Sequence, residues 1–544
     1  MSELPEQVND RDHGLQNEKT DAISCSHVTF RYLQQNKANV LEDISVSFPK
    51  GEVTVLMGRS GCGKSTLAAL MGGLYPENGG ILQSGKILLM RKDLSSYSIP
   101  ERSKVLSMMF QNADLQFCMQ TLRQEMTFCL ENISCPPSDM GHRIQEAAEK
   151  TGMTDYLDRP FLTLSGGEKQ KAALSCIFLL QQEGGGEGVI LLDEPFANID
   201  IDWAEKIADQ LIEMNKQLGT TIIAVDHSLD VWLSRADRIM IMNGEGKICA
   251  SLLPDQVRKS EDLFKAEGLR WPYQTVLSKQ ERTKICSNGP AVGTLTDHLP
   301  DPENSEEKVS PTIALQDAGI YAGKKHLGSG AKGTLILGHA DAAFYPGEMT
   351  AVLGPSGAGK TTLFRTLLGR QNYTGNICIR DDSTGQMQEL RQMKTRTLLK
   401  NVGIVFQNPS NQFITQNVLQ EVETGILGRP VKPEKLAGSD TENAAIEMLR
   451  EFGLSRFRRY SPYMLSQGQQ RRLAVLSVIA GQQKVLLLDE PTYGQDEAMT
   501  EEIMKILEKR MEQEKLTILF STHDPVLVKR WADKVYRIED GELR

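Results

Sequence analysis

One set of short motifs occurs twice in this chain, in the same order and at the same spacing. The segments Gly58–Thr66 and Gly354–Thr362 both fit the pattern G-x-x-x-x-G-K-[ST]. In each half, the glutamine of a Phe-Gln-Asn triplet follows the loop lysine by 47 residues, and the glutamate of a Leu-Asp-Glu-Pro box follows it by 130 residues. A histidine lies 33 residues beyond each glutamate. Four elements in register predict an internal duplication, in which one domain is present twice.

Length and composition agree with two ordinary globular domains. A chain of 544 residues is longer than one hydrophobic core supports, and 40% hydrophobic with 24% charged residues is typical of globular proteins. Purely apolar runs such as Ile177–Leu180 are far shorter than the ~18–20 residues that cross a bilayer. The segment Met1–Thr20 is polar and has no apolar signal-peptide core, so we expect a protein that stays in the cytosol.

Cysteine spacing and net charge exclude several other classes. The nine cysteines are scattered, without a C-x-x-C pair or the spacing of metal ligands, so we expect reduced and mostly buried thiols. The net charge of −10 disfavours a nucleic-acid partner, because phosphate binding usually requires a basic face. We therefore expect no nucleic acid among the partners.

The repeat also sets the expected domain boundaries. A polar tail over 1–20 precedes a first domain over 21–285, which ends in a helical tail. Residues 286–311 are acidic and rich in proline, which is typical of a linker, and the second domain covers 312–544. Within each domain, β-rich apolar runs alternate with helical stretches. That alternation predicts an α/β fold with a mainly parallel sheet.

Each phosphate-loop motif lies between a predicted strand and a predicted helix. Glycines allow backbone N–H groups to close around phosphates, and the helix N-terminus adds the positive end of its dipole. Lys64 and Lys360 are expected to reach phosphate oxygens, while Ser65 and Thr361 are expected to hold Mg²⁺. A glycine-rich turn without a ligand is the alternative. The positions assigned to nucleotide are Gly58, Ser60, Gly61, Gly63, Lys64, Ser65 and Thr66 in the first half, and Gly354, Ser356, Gly357, Gly359, Lys360, Thr361 and Thr362 in the second.

The Leu-Asp-Glu-Pro boxes supply carboxylates to the same two sites. Each follows an apolar run typical of a buried central strand. We expect Asp193 and Asp489 to bind Mg²⁺ through water, and Glu194 and Glu490 to polarise the attacking water. A solvated strand end with no catalytic role is the alternative, and the matching offset behind both loops disfavours it.

The segments Leu164–Gln170 and Leu465–Gln470 resemble the signature sequence of ABC-type ATPases, and Gln467 replaces the usual first glycine in the second one. The resemblance covers nearly the whole chain and implies two tandem nucleotide-binding domains, each with a parallel-sheet core and a helical subdomain. It implies further site residues: Ser165, Gly167, Ser466 and Gly468 of the signatures, Gln111 and Gln407 as Q-loop residues that also bind Mg²⁺, and His227 and His523 as catalytic switch histidines.

In that family two domains pair head to tail. By analogy Lys64 would face Ser466 across a pseudo-twofold axis, and Lys360 would face Ser165. The family also stacks an aromatic residue on adenine, and Tyr32 is the candidate in the first half. In the second half Tyr321 is the nearest equivalent, with a surface tyrosine as the equal alternative.

A subfamily resemblance rests on the segments Phe110–Phe117 and Phe406–Phe413. They resemble the F-Q-N-P-x-x-Q helix of energy-coupling-factor transporter ATPases, although Ala113 replaces the proline in the first. The tail Phe264–Pro272 is similar to that group as well. The resemblance implies an importer motor at the cytoplasmic side of the cell membrane. Its partners would be an integral membrane scaffold protein and a separate membrane substrate-binding protein, with contact expected through the two quoted segments.

A second class of function stays open, namely a soluble tandem ABC ATPase acting on ribosomes or DNA. Such proteins typically carry a basic linker, zinc-binding cysteines or an iron–sulfur domain, whereas the linker here is acidic. Transport is therefore the preferred interpretation. The resemblance implies a micronutrient as cargo, such as a vitamin, a vitamin precursor or a transition metal ion, and the sequence does not distinguish among these.

Overall fold

A computed structural model describes most of the chain. The described residues are 20–33, 39–77, 79–181, 188–196, 199, 201–272, 310–323, 333–355, 357–431, 436–492, 495, 497–522 and 524–544, without the side chains of 114, 202, 467 and 525. Most of the expected linker over 286–311 lies outside them, as do the expected site residues Ser356 and His523.

The first half begins with a long strand and alternates strands and helices. Its strands are β1 (Asp21–Tyr32), β2 (Leu41–Pro49), β3 (Val53–Gly58), β4 (Gly80–Leu89), β5 (Lys92–Asp93), β6 (Leu106–Met109), β7 (Val189–Asp193), β8 (Thr221–Val225), β9 (Arg238–Met242) and β10 (Ile248–Leu252). Its helices are α1 (Lys64–Met71), α2 (Ile99–Val105), α3 (Leu122–Asn132), α4 (Pro137–Thr151), α5 (Gly166–Gln181), α6 (Ile201–Leu218), α7 (Pro254–Val257) and α8 (Glu261–Ala266).

The second half repeats this order. Its strands are β11 (Ile313–Ala322), β12 (Thr334–Phe344), β13 (Glu348–Leu353), β14 (Asn372–Tyr373), β15 (Asn376–Arg380), β16 (Met387–Glu389), β17 (Val402–Val405), β18 (Val485–Asp489), β19 (Thr517–Ser521), β20 (Lys534–Glu539) and β21 (Glu542–Leu543). Its helices are α9 (Lys360–Leu367), α10 (Thr395–Asn401), α11 (Val418–Leu427), α12 (Asp440–Glu451), α13 (Gln467–Ile479), α14 (Glu497–Glu514) and α15 (Pro525–Trp531).

Each half has the expected parallel core. In the first half the strand order is β10-β9-β3-β8-β7-β6, and only the β10–β9 pair is antiparallel. In the second half β20, β13, β19, β18 and β17 pair in parallel in that order. The α/β prediction is therefore confirmed for both cores.

An antiparallel layer lies beside each core, and the sequence analysis did not predict it. In the first half its order is β2-β1-β4-β5. In the second half β11, β12, β15 and β16 form the corresponding layer, which continues through β21 into the core sheet. The helices α3 and α4, and α11 and α12, form the expected helical subdomains, packing on α5 and α13 respectively.

The strand order places the functional loops together. Strand β7 is buried along its whole length, which explains its continuous apolar sequence. Strand β8 lies between β3 and β7, so the segments that follow their carboxyl ends share one edge of the sheet. These segments are the phosphate loop, the switch segment that begins at Asp226, and the carboxylates at Asp193 and Glu194. Within the described residues, no helix is both long enough and apolar enough to cross a membrane.

Candidate nucleotide-hydrolysis sites

The two phosphate loops share one backbone geometry that requires glycine. Gly63 and Gly359 cap helices α1 and α9 with φ values of 110° and 111°, a left-handed conformation that favours glycine. A Cβ on Gly63 would lie 2.6 Å from Leu41 Cδ2. At Gly61 and Gly357 an added Cβ would meet nothing within 4 Å, so the space above each loop is open to a ligand.

Both loop lysines fold back over their own loops. The ammonium of Lys64 donates to the carbonyl oxygens of Gly58 at 2.6 Å and Arg59 at 2.9 Å. Lys360 donates in the same way to Gly354 at 2.6 Å and to the next residue at 3.1 Å. The matching geometry places a cation at the rim of each open loop, where phosphate oxygens could replace the carbonyls.

The expected Mg²⁺ ligands come together in both halves. Ser65 Oγ donates to Asp193 Oδ1 at 3.1 Å, and Thr361 Oγ1 donates to Asp489 Oδ2 at 2.7 Å. Burial and the neighbouring Glu194 raise the pKa of Asp193 to about 7. Burial likewise raises the pKa of Asp489. A bound cation would favour the ionised form of both carboxylates.

The hydroxyl and carboxylate oxygens of these two sites suit Mg²⁺ better than a metal ion that takes all its ligands from protein side chains. Over the described ranges, no three His, Cys, Asp or Glu side chains cluster as metal ligands. One hydroxyl and one carboxylate per site match a cation that keeps several waters and takes its remaining ligands from substrate phosphates.

Glu194 is the centre of the first site. It has a φ of 51°, an unusual value for a residue with a side chain. Its Oε1 accepts a hydrogen bond from Gln111 Nε2 at 2.8 Å and lies 2.5 Å from His227 Nε2. The structure places the Gln111 amide N–H on the Glu194 carboxylate, and the expected binding of Mg²⁺ by Gln111 stays a prediction. The chain thereby brings the Q-loop residue, the candidate base and the switch histidine together.

The charges of this group support one another. Burial alone would raise the pKa of Glu194, but the His227 imidazole and the Gln111 amide outweigh burial and hold it below its usual value. Burial would lower the pKa of His227, and the Glu194 carboxylate outweighs that effect and raises it. The imidazolium thus keeps the glutamate ionised, and an ionised glutamate can polarise an attacking water.

At the second site the candidate base has the same backbone conformation, but its N–H group has a different hydrogen-bond partner. Glu490 has a φ of 53°, close to that of Glu194. Its N–H donates to Ser521 Oγ at 3.0 Å, and this hydroxyl donates to Asp489 Oδ1 at 2.6 Å. In the first half the N–H of Glu194 donates to the Val225 carbonyl at 2.8 Å. The expected role of His523 falls outside the described residues and stays a prediction.

The signature serines cap the helices that follow them. Ser165 Oγ accepts from the Glu168 N–H at 3.3 Å, while Glu168 accepts from the Ser165 N–H at 2.6 Å. Ser466 and Gln469 form the same reciprocal capping box at 3.3 and 3.0 Å. Each serine is thus fixed at a helix N-terminus, where N–H groups and the dipole favour an anion.

Tyr32 lies beside the first phosphate loop. Its hydroxyl is 2.8 Å from Thr66 Oγ1, and its ring meets Phe30 and Tyr75 edge-on at centroid distances of 5.2 and 5.4 Å. Sequence reasoning missed Tyr75, which completes this aromatic group. Tyr321 lies on β11, opposite Leu335.

Two further supporting residues were missed. Asp226 accepts from the N–H of His227 at 2.7 Å and from Trp232 Nε1 at 2.9 Å, and burial raises its pKa to about 6. It thereby holds the backbone of the switch histidine. An acidic residue directly before the histidine was the available sequence signal.

The second supporting residue differs between the halves. Gln170 Nε2 donates to the Glu194 carbonyl at 2.9 Å. Arg471, at the matching position after the second signature, is 1% exposed. It donates to the carbonyls of Phe406 at 3.0 Å, Gln407 and Asp489. The second half therefore joins its Q-loop to its acidic strand through a buried guanidinium.

Comparison with known proteins agrees with this geometry. The profile of the family described as ABC transporter matches residues 41–197 and 337–493. The chain therefore belongs to the ABC transporter family and carries two of its ATP-binding domains. ATP hydrolysis coupled to transport is the activity of this class.

Individual relatives match over almost the whole chain. The chain is 32% identical over 527 residues to the putative HMP/thiamine import ATP-binding protein YkoD of Bacillus subtilis, covering 96% of this chain and 91% of that protein. It is 31% identical over 550 residues to a putative ABC transporter ATP-binding protein of Methanosarcina acetivorans, covering 96% and 85%.

A solved structure also matches across both halves. The archaeal ribosome recycling factor aABCE1, in complex with the ribosomal stalk protein aP1, gives a TM-score of 0.55 at 17% identity and covers 95% of this chain and 89% of that one. This likeness shows a shared tandem fold.

Proposed function

We propose that this chain is the ATP-hydrolysing motor of an energy-coupling-factor type importer for a micronutrient. It works at the cytoplasmic side of the cell membrane with an integral membrane scaffold protein and a separate membrane substrate-binding protein. Similarity to a protein named for HMP/thiamine import over 96% of the chain supports import. HMP and thiamine are therefore the first cargoes to test, ahead of other vitamins and transition metal ions.

In this proposal each half supplies one complete catalytic set. Glu194 and Glu490 polarise the attacking water and accept the proton that it releases, and His227 and His523 hold these carboxylates in place. Mg²⁺, when bound with ATP, neutralises phosphate charge. The remaining residues bind and orient the nucleotide. Pairing the halves head to tail would bring each phosphate loop to the other half's capped signature serine, which supplies further donors to the phosphates.

The observation that carries the transport proposal is an apolar face beside each Q-loop. In the first half Leu115 and Leu162 are 76% and 95% exposed, and in the second half Ile414 and Tyr463 are 69% and 58% exposed. Large apolar side chains at such exposure are typical of a docking surface, and Leu162 and Tyr463 occupy corresponding places in the repeat. We name these four residues the Q-loop faces.

The buried residues of the same segments correct one expectation. Phe413 was expected to meet a partner but is only 5% exposed. Phe117 also points inward, stacked on Phe161 with ring centroids 3.9 Å apart. Phe117 and Phe413 pack each segment against the helical subdomain. The exposed apolar residues of the Q-loop faces are therefore the ones available to bind another protein.

The proposed occupant of each Q-loop face is an apolar helical segment of the membrane scaffold protein. Leu115 lies on the same segment as Gln111, and Ile414 directly follows the segment of Gln407. Leu162 and Tyr463 lie on segments that pack against these two through Phe161 and Phe413. Gln111 bonds directly to the candidate base. A change at the hydrolysis site would therefore reach the partner through one short, packed element.

The test measures uptake and hydrolysis separately. Leu162→Glu combined with Tyr463→Glu should lower uptake of labelled HMP and thiamine more than about tenfold in cells that depend on this chain, because each face loses apolar area and gains a charge. ATP hydrolysis by the purified chain should stay within about twofold, since neither residue contacts the catalytic groups.

Met387→Glu is the control variant, because Met387 is 37% exposed on β16, the edge strand of the antiparallel layer in the second half. It should leave uptake unchanged. Wild-type uptake in the double variant would place docking elsewhere. Unchanged uptake of vitamins and metal ions in cells that lack the chain would refute the importer proposal.

A further inference from the structure

A short segment after helix α8 links the first phosphate loop to the second half. Arg59, the second residue of that loop, donates from Nε to the Glu267 carbonyl at 2.6 Å and from Nη2 to the Ala266 carbonyl at 2.5 Å. A Cβ on Gly268 would lie 3.4 Å from Cβ of Ala498 in helix α14. The segment therefore contacts an arginine side chain of the first phosphate loop and also packs against helix α14 of the second half.

Arg270, at the end of this segment, binds a carboxylate from each half. Its Nη1 lies 2.8 Å from Asp524 Oδ2 and its Nη2 lies 3.1 Å from Asp524 Oδ1, which is a bidentate pair. Nη2 also lies 3.3 Å from Asp230 Oδ2. The side chain of Arg270 is 24% exposed and that of Asp230 only 6%. The bridge is thus shielded far more than a surface ion pair.

Both carboxylates belong to switch segments. Asp230 is three residues beyond His227 and accepts from Ser228 Oγ at 2.7 Å. Asp524 directly follows position 523 and caps helix α15, accepting from the Val526 N–H at 2.9 Å. In the register of the repeat Asp230 corresponds to Val526, so the two carboxylates are not copies of one another. The bridge from Arg270 to Asp230 and Asp524 therefore occurs once and is not repeated by the internal duplication.

We infer that Arg270 is a positioning residue that couples the two hydrolysis sites. It neutralises two acidic groups that would otherwise repel each other, and it fixes the switch segments of both halves at one distance. Because Arg59 ties the same backbone to the first phosphate loop, a shift of that loop on nucleotide binding moves Arg270 and the segment that carries Asp524. Nucleotide at the first site thereby sets the geometry at the second.

The first experiment replaces the guanidinium. Arg270→Gln in the full chain should lower kcat for ATP about tenfold with little change in KM, because misplacing catalytic groups affects the reaction more than nucleotide binding. It should also lower the Hill coefficient for ATP towards one. Arg258→Gln, an exposed arginine of the same tail, is the matched control and should match wild type.

The second experiment is a double-mutant cycle that does not depend on Arg270→Gln folding well. Asp524→Asn removes the charge and keeps the cap, since asparagine is an equally good N-cap residue. As a single substitution Asp524→Asn should lower kcat. The loss of kcat in the double variant Arg270→Gln/Asp524→Asn should be no larger than the loss in either single variant. The effect should be present in the Glu194→Gln background, where hydrolysis depends on the second site.

Three outcomes would overturn the inference. Wild-type kcat and Hill coefficient in both single variants would show that the bridge has no role in coupling. Fully additive losses would show that the two residues act separately. A fall in kcat that only tracks a fall in melting temperature would reduce the bridge to a structural contact between the halves.

Discussion

Glu194 Oε1 lies 2.5 Å from His227 Nε2, and the same oxygen accepts a hydrogen bond from Gln111 Nε2 at 2.8 Å. One carboxylate oxygen thus joins the segments after β6, β7 and β8. Burial opposes charge on both members of the pair, yet their attraction prevails and moves the two pKa values apart. The candidate base is held ionised and in place before a nucleotide arrives.

The first prediction concerns the pH dependence of this pair. The raised pKa of His227 contributes stability that is fully present below the unfolded value of 6.5 and is lost as pH rises through the folded value. His227→Ala should therefore lower the free energy of unfolding by about 1.5–3 kcal/mol at pH 6 and by clearly less at pH 9. Denaturant unfolding at both pH values measures this, and an equal loss at both would contradict it.

The second prediction is that Asp193 weakens the ligand-free fold. The pKa of Asp193 is raised from 3.8 to about 7, which means that the folded state disfavours its ionised form. The resulting loss of folding stability grows between these two pH values and is constant above them. Asp193→Asn should raise the stability of the apo protein at pH 8, by at most ~4 kcal/mol, and raise it less at pH 5.5. Hydrolysis at the first site should be lost.

Melting temperatures without nucleotide measure the effect of Asp193→Asn. Asp155→Asn is the control, because Asp155 is exposed and should show no such gain. A variant that is less stable than wild type at pH 8 would show that the carboxylate supports the fold.

The third prediction concerns the buried guanidinium of Arg471. Arg471→Gln leaves the carbonyls of Phe406 and Gln407 without their donor, at a cost of about 1–3 kcal/mol for each. Hydrolysis at the second site, measured in the Glu194→Gln background, should fall about tenfold because the Q-loop is displaced. Arg472→Gln is the control, since the Arg472 guanidinium donates to the Phe452 carbonyl at 3.1 Å. An equal fall in hydrolysis in both variants would contradict a specific role of Arg471 in holding the Q-loop.

The sequence predicted the parts of each site that depend on short motifs. Lys64, Ser65, Asp193, Glu194 and their copies follow strands of a parallel core, whose strand order brings them to one edge of the sheet. The apolar run of β7 and the glycines of the loops were sufficient for this, because local sequence determines both a buried strand and a left-handed turn.

The parts that the sequence did not predict depend on contacts across the fold. Arg270 and Asp524 are 254 residues apart and do not correspond in the repeat, so comparing the two halves gives no signal. The role of Arg471 depends on what it is buried against. The docking prediction placed Phe413 outside because alternating apolar and amide residues do not show which side meets the helical subdomain.

The fourth prediction is that the two sites hydrolyse ATP unequally. In the proposed pairing the first phosphate loop faces Ser466 and Gln467, while the second faces Ser165 and Gly166. A glycine allows closer approach of backbone N–H groups to phosphate, and both signatures open capped helices, so the difference should be about 1 kcal/mol or less.

The measurement compares two single variants. Glu490→Gln disables the site built on the Gly166 signature and should lower turnover more than Glu194→Gln, by up to about fivefold. Equal turnover in the two would make Gln467 a neutral replacement.

The most direct test of the whole account joins hydrolysis to transport in one variant. Glu194→Gln with Glu490→Gln removes both candidate bases and keeps the volume of each side chain. ATP binding by the purified chain should persist, hydrolysis should fall by about 10²–10⁴-fold, and uptake in cells carrying this variant should be lost. Hydrolysis at the wild-type rate in the double variant, or uptake that continues without hydrolysis, would contradict the account.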